Sequence, residues 1–135
     1  MILLDTDVVS NLMRTVPSPI LVRRLAVIDP EEQFTSSITV SELLYGAYRS
    51  ARTDLILGRL ADRIWPNVTV LSFDRQAAEV HGKARADLER VGTPLPEPDL
   101  RIAAIALARS LTLVTGNVRH FTRVPGLRVE NWLLD

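Results

Sequence analysis

The chain is organised around one stretch, Leu95-Pro-Glu-Pro-Asp-Leu-Arg-Ile-Ala-Ala-Ile-Ala-Leu-Ala-Arg109. Proline is accepted in the first turn of a helix but not in its interior, so Pro96 and Pro98 predict a helix that begins at about Pro98. Asp99 then lies in the first turn, where its carboxylate meets the positive end of the helix dipole. Residues 102–108 are all apolar, which is typical of a helix packed on several sides. We therefore predict that Asp99 lies at the edge of a core.

The composition indicates one globular domain over residues 1–135. Hydrophobic residues make up 47% of the chain, and its 16 basic and 16 acidic residues cancel. Any attraction to nucleic acid must therefore come from a local patch rather than from net charge. The absence of cysteine excludes disulfides and thiolate metal sites. The opening apolar run at residues 1–4 is too short for a signal peptide and no run approaches the length of a membrane span, so we expect a cytoplasmic protein without a membrane partner.

Short apolar or β-branched runs alternate with helical patterns, which predicts an α/β fold. The expected strands are 2–4, 34–38, 68–71, 111–114 and a shorter one at 127–130. Helices are expected at 8–13, 18–28, 39–48, 52–64, 74–92 and 98–108. Strands joined through helices run parallel, so we predict a mostly parallel sheet of four to five strands with helices on both faces. Thr39 and Glu42 have the spacing of a capping box, which predicts Glu42 in the first turn of its helix.

Polar side chains recur where the predicted strands end. Asp5 ends the first strand, Glu42 follows the second, Asn117 follows the fourth, and Asp99 precedes the fourth at a helix start. The carboxyl ends of parallel strands share one edge of a sheet, where such folds bind their ligands. Clustered carboxylates repel one another unless a cation neutralises them, and oxygen ligands favour Mg²⁺ or Mn²⁺ over zinc. The chemistry that this set indicates is hydrolysis of a phosphate ester.

Four motifs occur in sequence order: Met1-Ile-Leu-Leu-Asp-Thr-Asp-Val-Val-Ser10, Ile38-Thr-Val-Ser-Glu-Leu-Leu-Tyr-Gly46, Pro98-Asp-Leu-Arg-Ile-Ala-Ala104 and Leu113-Val-Thr-Gly-Asn-Val-Arg-His-Phe-Thr-Arg-Val-Pro-Gly-Leu127. Together they resemble the motifs of the PIN-domain ribonucleases, and in particular of their VapC toxin branch. The resemblance covers essentially the whole chain. It implies a three-layer α/β/α PIN domain with strand order 3-2-1-4-5.

The same resemblance implies a site, a reaction and partners. The metal-binding acids of the family fall on Asp5, Glu42 and Asp99, and the fourth catalytic position falls on Asn117. The implied activity is Mg²⁺- or Mn²⁺-dependent cleavage of RNA by a homodimeric toxin, inhibited by a cognate VapB-type antitoxin. The wider family often has aspartate at the fourth position, so the uncharged Asn117 weakens the case for a second tightly held ion.

Several residues keep two interpretations at this stage. Asp7 is either a helix cap or a metal contact, and either Thr6 or Asp7 is expected to cap the first helix. Turn formation explains Asn117 about as well as a contact with water or a metal does, and Thr115 is a weaker candidate of the same kind. His81 is expected at the core or its boundary. The candidates for contacts with RNA phosphates, each alternatively a solvated side chain, are Arg101, Arg119, His120 and Arg123.

Other functions compete with that of a toxin that cleaves structured RNA, either tRNA or a ribosomal RNA loop. Leu4-Asp-Thr-Asp7 and Val114-Thr-Gly116 resemble two motifs of a haloacid-dehalogenase-like phosphatase. That family also needs a lysine and an acidic pair after its second motif. Here Lys83 lies upstream of Thr115, and the only acidic residues after Asn117 are Glu130 and Asp135. A receiver-type signalling domain would need a lysine after a late strand, and this sequence has none there. A catalytically silent PIN-fold binding protein is the third alternative, and the intact acids argue against it.

Overall fold

The central sheet explains why the acidic residues of the candidate site share one edge. The computed structural model describes residues 1–134 and contains five parallel strands, which are β1 (Ile2–Leu4), β2 (Gln33–Ser36), β3 (Thr69–Leu71), β4 (Thr112–Val114) and β5 (Val129–Glu130). Their order in the sheet is β3-β2-β1-β4-β5. The central strand β1 pairs with β2 on one side and with β4 on the other. The predicted order and parallel direction are confirmed.

Two layers of helices cover the sheet, because successive side chains of a strand point to opposite faces. The helices are α1 (Thr6–Leu12), α2 (Pro19–Ala26), α3 (Ser37–Arg49), α4 (Thr53–Arg59), α5 (Arg75–Arg90), α6 (Glu97–Ala108) and the short α7 (Val118–Phe121). Leu3 packs in a core with residues of α5 and α6, whereas Ile2 and Leu4 pack with residues of α1, α2 and α3. The three-layer α/β/α arrangement follows. A 3₁₀ turn spans Pro30–Glu32, and a π turn spans Leu60–Ile64.

Helix α6 is the small-residue helix that the sequence predicts. Six of its residues are buried, among them Ile102, Ala103 and Ala106. The helix begins at Glu97, one residue earlier than expected, with Pro96 at the N-cap position and Pro98 in the first turn. Asp99 lies in that turn, as predicted, and only a quarter of its side chain is exposed. The apolar residues that follow Asp99 therefore anchor its helix in the core.

Two helix starts differ from the predictions. Strand β2 ends at Ser36, whose Oγ accepts a hydrogen bond from the Thr39 amide at 3.0 Å and caps α3. The predicted capping box is therefore wrong, because Ser36 takes the cap position and Thr39 is buried; Glu42 lies in the second turn. The first helix is capped by Asp5 rather than by Thr6 or Asp7, since Asp5 Oδ1 accepts from the Thr6 amide at 2.8 Å. No helix within residues 1–134 is long and apolar enough to cross a membrane.

Candidate active site

Asp5 is the most constrained carboxylate of the chain. It follows β1 directly, and only 6% of the residue is exposed. Its Oδ1 accepts from the Thr6 amide, and its Oδ2 accepts from the Thr115 hydroxyl, both at 2.8 Å. The Asp5 amide donates to the Val114 carbonyl at 2.9 Å, which extends the pairing of β1 with β4. Asp5 is therefore held in one orientation at the carboxyl edge of the sheet.

The surroundings of Asp5 disfavour its charged form. The pKa of Asp5 is raised to about 6, chiefly by burial and in addition by the nearby charges of Asp7 and Asp99, against the hydrogen bonds from Thr115 and Thr6. The pKa of Asp7 is also raised, chiefly because the surrounding protein removes water from it, and Asp99 adds to this effect. The carboxylates of Asp5, Asp7 and Asp99 therefore repel one another at the end of β1 and the start of α6.

Asp7 belongs to this cluster through a backbone contact. Its Oδ2 accepts a hydrogen bond from the Gly116 amide at 2.9 Å, which joins α1 to the loop after β4. A Cβ atom at position 116 would lie 2.6 Å from Asp7 Oδ2 and 3.1 Å from Leu133 Cδ1, so only glycine permits this approach. Because Asp5 caps α1, the cap interpretation of Asp7 is wrong. Its interpretation as a metal contact stays a prediction.

Glu42 reaches the site through hydroxyl groups. Thr6 Oγ1 donates to Glu42 Oε1 at 2.8 Å and lies 3.0 Å from Thr39 Oγ1. Thr39 Oγ1 in turn accepts from Ser36 Oγ at 3.2 Å. The chain of hydroxyls joins the end of β2 to the start of α1 and orients the exposed Glu42 carboxylate. A groove of about 400 Å³ opens beside Thr6 and Glu42, so this edge is accessible from outside.

The loop after β4 carries Asn117 and His120. The Thr115 hydroxyl accepts from the Asn117 amide at 3.0 Å, which confirms the predicted turn. Asn117 Nδ2 lies 2.8 Å from His120 Nδ1, and the same ring nitrogen lies 3.4 Å from Asp99 Oδ2. His120 Nδ1 therefore lies close to both Asn117 and Asp99. This places His120 in the site itself, closer to the acids than sequence reasoning assumed.

The predicted RNA-contacting arginines lie in different surroundings. Arg101 is 3.7 Å from a Glu97 carboxylate oxygen, and its guanidinium lies 5.7 Å from the centre of the Phe73 ring. Arg123 donates to the Pro94 carbonyl at 3.4 Å. Arg119 is exposed on α7 beside His120. The structure therefore pairs Arg101 and Arg123 with other partners, and the role of all three towards RNA stays a prediction.

The residues present fit a hard divalent cation in charge and donor type. Within residues 1–134, the acids at positions 5, 7, 42 and 99 form no ion pair with lysine or arginine, and His120 beside Asp99 is their one basic neighbour. All their donor atoms are oxygens, which suits Mg²⁺ or Mn²⁺. In the same described part of the chain, no three carboxylate or imidazole groups converge closely enough to hold one ion. The side chains would have to close around a cation.

Sequence reasoning missed two features of this region. The hydrogen bond from Thr6 to Glu42 joins residues 36 positions apart. The only hint of it in the sequence is the place of Thr6 between Asp5 and Asp7. The contact of His81 with Glu97 at 2.7 Å joins α5 to the start of α6, and nothing in the sequence signals it. The lysine that a phosphatase would need is also not at this edge, since Lys83 pairs with Asp87 on the exposed side of α5.

Comparison with known proteins agrees with this architecture. A model of the PIN domain matches residues 2–127. A Salmonella typhimurium protein described as a tRNA(fMet)-specific endonuclease VapC is 43% identical over 97 residues, 72% of this chain and 73% of the relative. A Shigella flexneri protein of the same description is 35% identical over 130 residues, 96% of each chain. In the crystal structure of VapBC2 from Rickettsia felis bound to a promoter DNA fragment, the matching chain is 30% identical to this one and superposes with a TM-score of 0.90. The match covers 98% of this chain and 99% of that one. The chain therefore belongs to the PIN-domain family and, within it, to the VapC proteins.

Proposed function

We propose that this chain is a metal-dependent endoribonuclease toxin that hydrolyses phosphodiester bonds in structured RNA and is inhibited by a cognate antitoxin. One observation carries the proposal. The buried Asp5 feels the like charges of Asp7 and Asp99 at the edge of the sheet, and its pKa is raised to about 6, chiefly by burial. An acidic cluster of this kind costs stability unless a cation neutralises it, so its presence indicates a cation-dependent site.

The residues of the site divide the work of hydrolysis. Asp5, Asp99 and Glu42 would hold Mg²⁺ or Mn²⁺, which supplies orientation and acidification of the attacking water and stabilises charge on the leaving oxygen. Thr115 and Thr6 hold Asp5 in its orientation, and Thr6 also orients Glu42. Asn117 and His120 occupy the side of the site next to Asp99. Arg119, exposed beside them, would contact a phosphate of the RNA.

Transfer RNA is the substrate class that the comparisons support. The Salmonella typhimurium and Shigella flexneri relatives are both described as tRNA(fMet)-specific endonucleases. These relatives are 43% and 35% identical to this chain, and we therefore propose initiator tRNA as the substrate. A ribosomal RNA loop is the alternative from the sequence, and a panel of RNAs separates the two.

The antitoxin partner is supported by the solved complexes. The Rickettsia felis structure and a Salmonella typhimurium structure, 36% identical with a TM-score of 0.89, are VapBC complexes bound to DNA. We propose that this chain likewise pairs with a VapB-type antitoxin. Its homodimeric state stays a prediction, which light scattering on the purified chain measures directly.

The experiment that tests the proposed function incubates the purified chain with a panel of individual tRNAs and a ribosomal RNA loop fragment. We expect endonucleolytic cleavage of initiator tRNA in Mn²⁺ or Mg²⁺ and none in EDTA. Restoration of Mn²⁺ to the EDTA sample should restore cleavage, which excludes loss of the fold as the cause. Cleavage that proceeds in EDTA, or an absence of cleavage of every RNA with either ion, would contradict the proposal.

A further inference from the structure

The start of α6 has no ordinary helix cap. Its N-cap residue is Pro96, which offers no side-chain hydrogen bond, and Pro98 in the first turn has no amide hydrogen. The turn that carries Asp99 therefore depends on other contacts for its position. Leu95 and Leu100 are buried on either side of this turn and fix its depth in the core. They are apolar contacts, so the polar groups of the turn need partners of their own.

Glu97, the first residue of α6, is surrounded by three basic side chains. His81 Nε2 on α5 lies 2.7 Å and 3.3 Å from the two carboxylate oxygens of Glu97. Arg85 lies 3.8 Å and Arg101 3.7 Å from Glu97 Oε1. Only His81 makes contacts of hydrogen-bond length, and only 14% of its side chain is exposed. The bond between His81 and Glu97 is the short polar link between α5 and the start of α6.

The His81 ring is itself held in place. Phe73, in the loop after β3, meets the ring edge-on, with a distance of 5.4 Å between ring centres and an angle of 90° between planes. The Arg101 guanidinium lies over the other aromatic ring of this pair, that of Phe73. Such edge-to-face packing restricts a ring to one orientation. The imidazole is therefore a preoriented partner for Glu97.

We propose that His81 is a positioning residue, which holds the first turn of α6 through Glu97 and so sets the place of the Asp99 carboxylate. Asp99 lies two residues beyond Glu97 in the same turn, so a movement of that turn moves both. This inference rests on the proposed function, because it assigns His81 to the cation site that the function requires. Residues outside a ligand set that orient it alter metal affinity by about 10–100-fold in other proteins.

The fold itself does not depend on this link. Helices α5 and α6 share an apolar core that contains Ala77, Leu88, Ile102 and Ile105. Loss of one hydrogen bond at the end of α6 leaves that core intact. We therefore expect a variant of His81 to remain folded and to change the first turn of α6 selectively.

The test compares His81→Leu, which removes the hydrogen bond, with His81→Gln, whose amide replaces the ring Nε2. Mn²⁺ binding to the full chain is measured from the electron paramagnetic resonance signal of free Mn²⁺, a readout independent of catalysis. We expect His81→Leu to weaken Mn²⁺ binding about tenfold and His81→Gln to recover most of this loss. Lys83→Gln, which removes an exposed ion pair from the same helix, is the control and should bind as the wild type does.

Hydrogen exchange gives a second readout without metal. The Leu100 amide, which donates to the Pro96 carbonyl at 3.0 Å, should exchange faster in His81→Leu than in His81→Gln, and amides in the middle of α5 should not change. If His81→Leu does not fold, Glu97→Ala and Glu97→Gln replace it, because both remove the same charge and only glutamine retains a hydrogen bond to His81. Tighter Mn²⁺ binding and slower exchange in Glu97→Gln than in Glu97→Ala would then support the inference.

Equal Mn²⁺ binding and equal exchange in the wild type and His81→Leu, or in the two Glu97 variants, would overturn the inference alone. A wild-type chain that binds no Mn²⁺ and cleaves no RNA would instead overturn the proposed function, and the inference with it. The two failures are therefore distinguishable in one set of samples.

Discussion

The metal-free protein should become more stable when Asp5 is replaced by asparagine. The pKa of Asp5 rises from its ordinary value of 3.8 to about 6 in the folded chain. A carboxyl group with a raised pKa binds its proton more tightly in the folded state than in the unfolded state. Its contribution to stability is therefore complete below pH 3.8 and is lost as the pH rises through about 6.

The size of the effect follows from the shift. A shift of about two pKa units corresponds to about 3 kcal/mol between low pH and pH 8. Asparagine carries no charge and caps a helix as well as aspartate does, so the bond to the Thr6 amide survives. Weakening of the bond from Thr115 subtracts about 1 kcal/mol. We therefore expect Asp5→Asn to raise the free energy of unfolding at pH 8 by about 2 kcal/mol, or roughly 8 °C in the melting temperature.

Thermal and urea denaturation in EDTA at pH 5, 6, 7 and 8 measure this directly. The wild-type stability should fall across this range, and the Asp5→Asn stability should fall less. Asp74→Asn is a matched control, because Asp74 also caps a helix, but the Ala77 amide and Arg109 hold its pKa below the usual range. The control should bring no gain at pH 8. An Asp5→Asn variant less stable than the wild type at pH 8 would refute the electrostatic argument.

Three further variants test separate contacts of the site. Thr6→Val removes the hydroxyl that orients Glu42 and should lower the RNA cleavage rate about tenfold, whereas Thr6→Ser should keep the wild-type rate. Equal cleavage rates for Thr6→Val and the wild type would contradict this role of Thr6. Gly116→Ala should displace Asp7 and cost about 1 kcal/mol of unfolding free energy, the value of the lost hydrogen bond, so unchanged urea denaturation would be inconsistent with the close approach. Arg119→Ala should weaken binding to tRNA and reduce the slope of log affinity against log salt by about one in filter binding, and an unchanged slope would exclude a phosphate contact.

The fold was predictable because its signals are local. The central strand is a short apolar run followed by a polar residue, Ile2–Leu4 before Asp5, and helical patterns between strands require parallel pairing. The alanine-rich stretch after Asp99 likewise has one interpretation, since a helix with so many small apolar residues belongs in a core. Membership of the VapC proteins, predicted from four motifs, is confirmed by the family match.

The details that sequence reasoning missed depend on contacts between distant positions. Ser36 and Thr39 can both cap a helix, and only the burial of Thr39 against Thr6 decides that Ser36 does so. The four-residue helix α7 is too short for a periodic pattern to reveal it. His81 was expected at the core or its boundary, and the structure confirms that placement. Its partner Glu97 lies 16 positions away and could not be inferred from spacing.

The central claim is that the acids at the carboxyl edge of the sheet cleave RNA with a divalent ion. It is tested most directly by the single-turnover cleavage rate of initiator tRNA in Mn²⁺, measured for the wild type and for Asp99→Asn. Asparagine preserves the size of the side chain and the start of α6 but removes the charge that would hold the ion. The account predicts a loss of at least about a hundredfold, because a ligand should contribute no less than the residues that support it. Cleavage by Asp99→Asn at the wild-type rate would contradict the account.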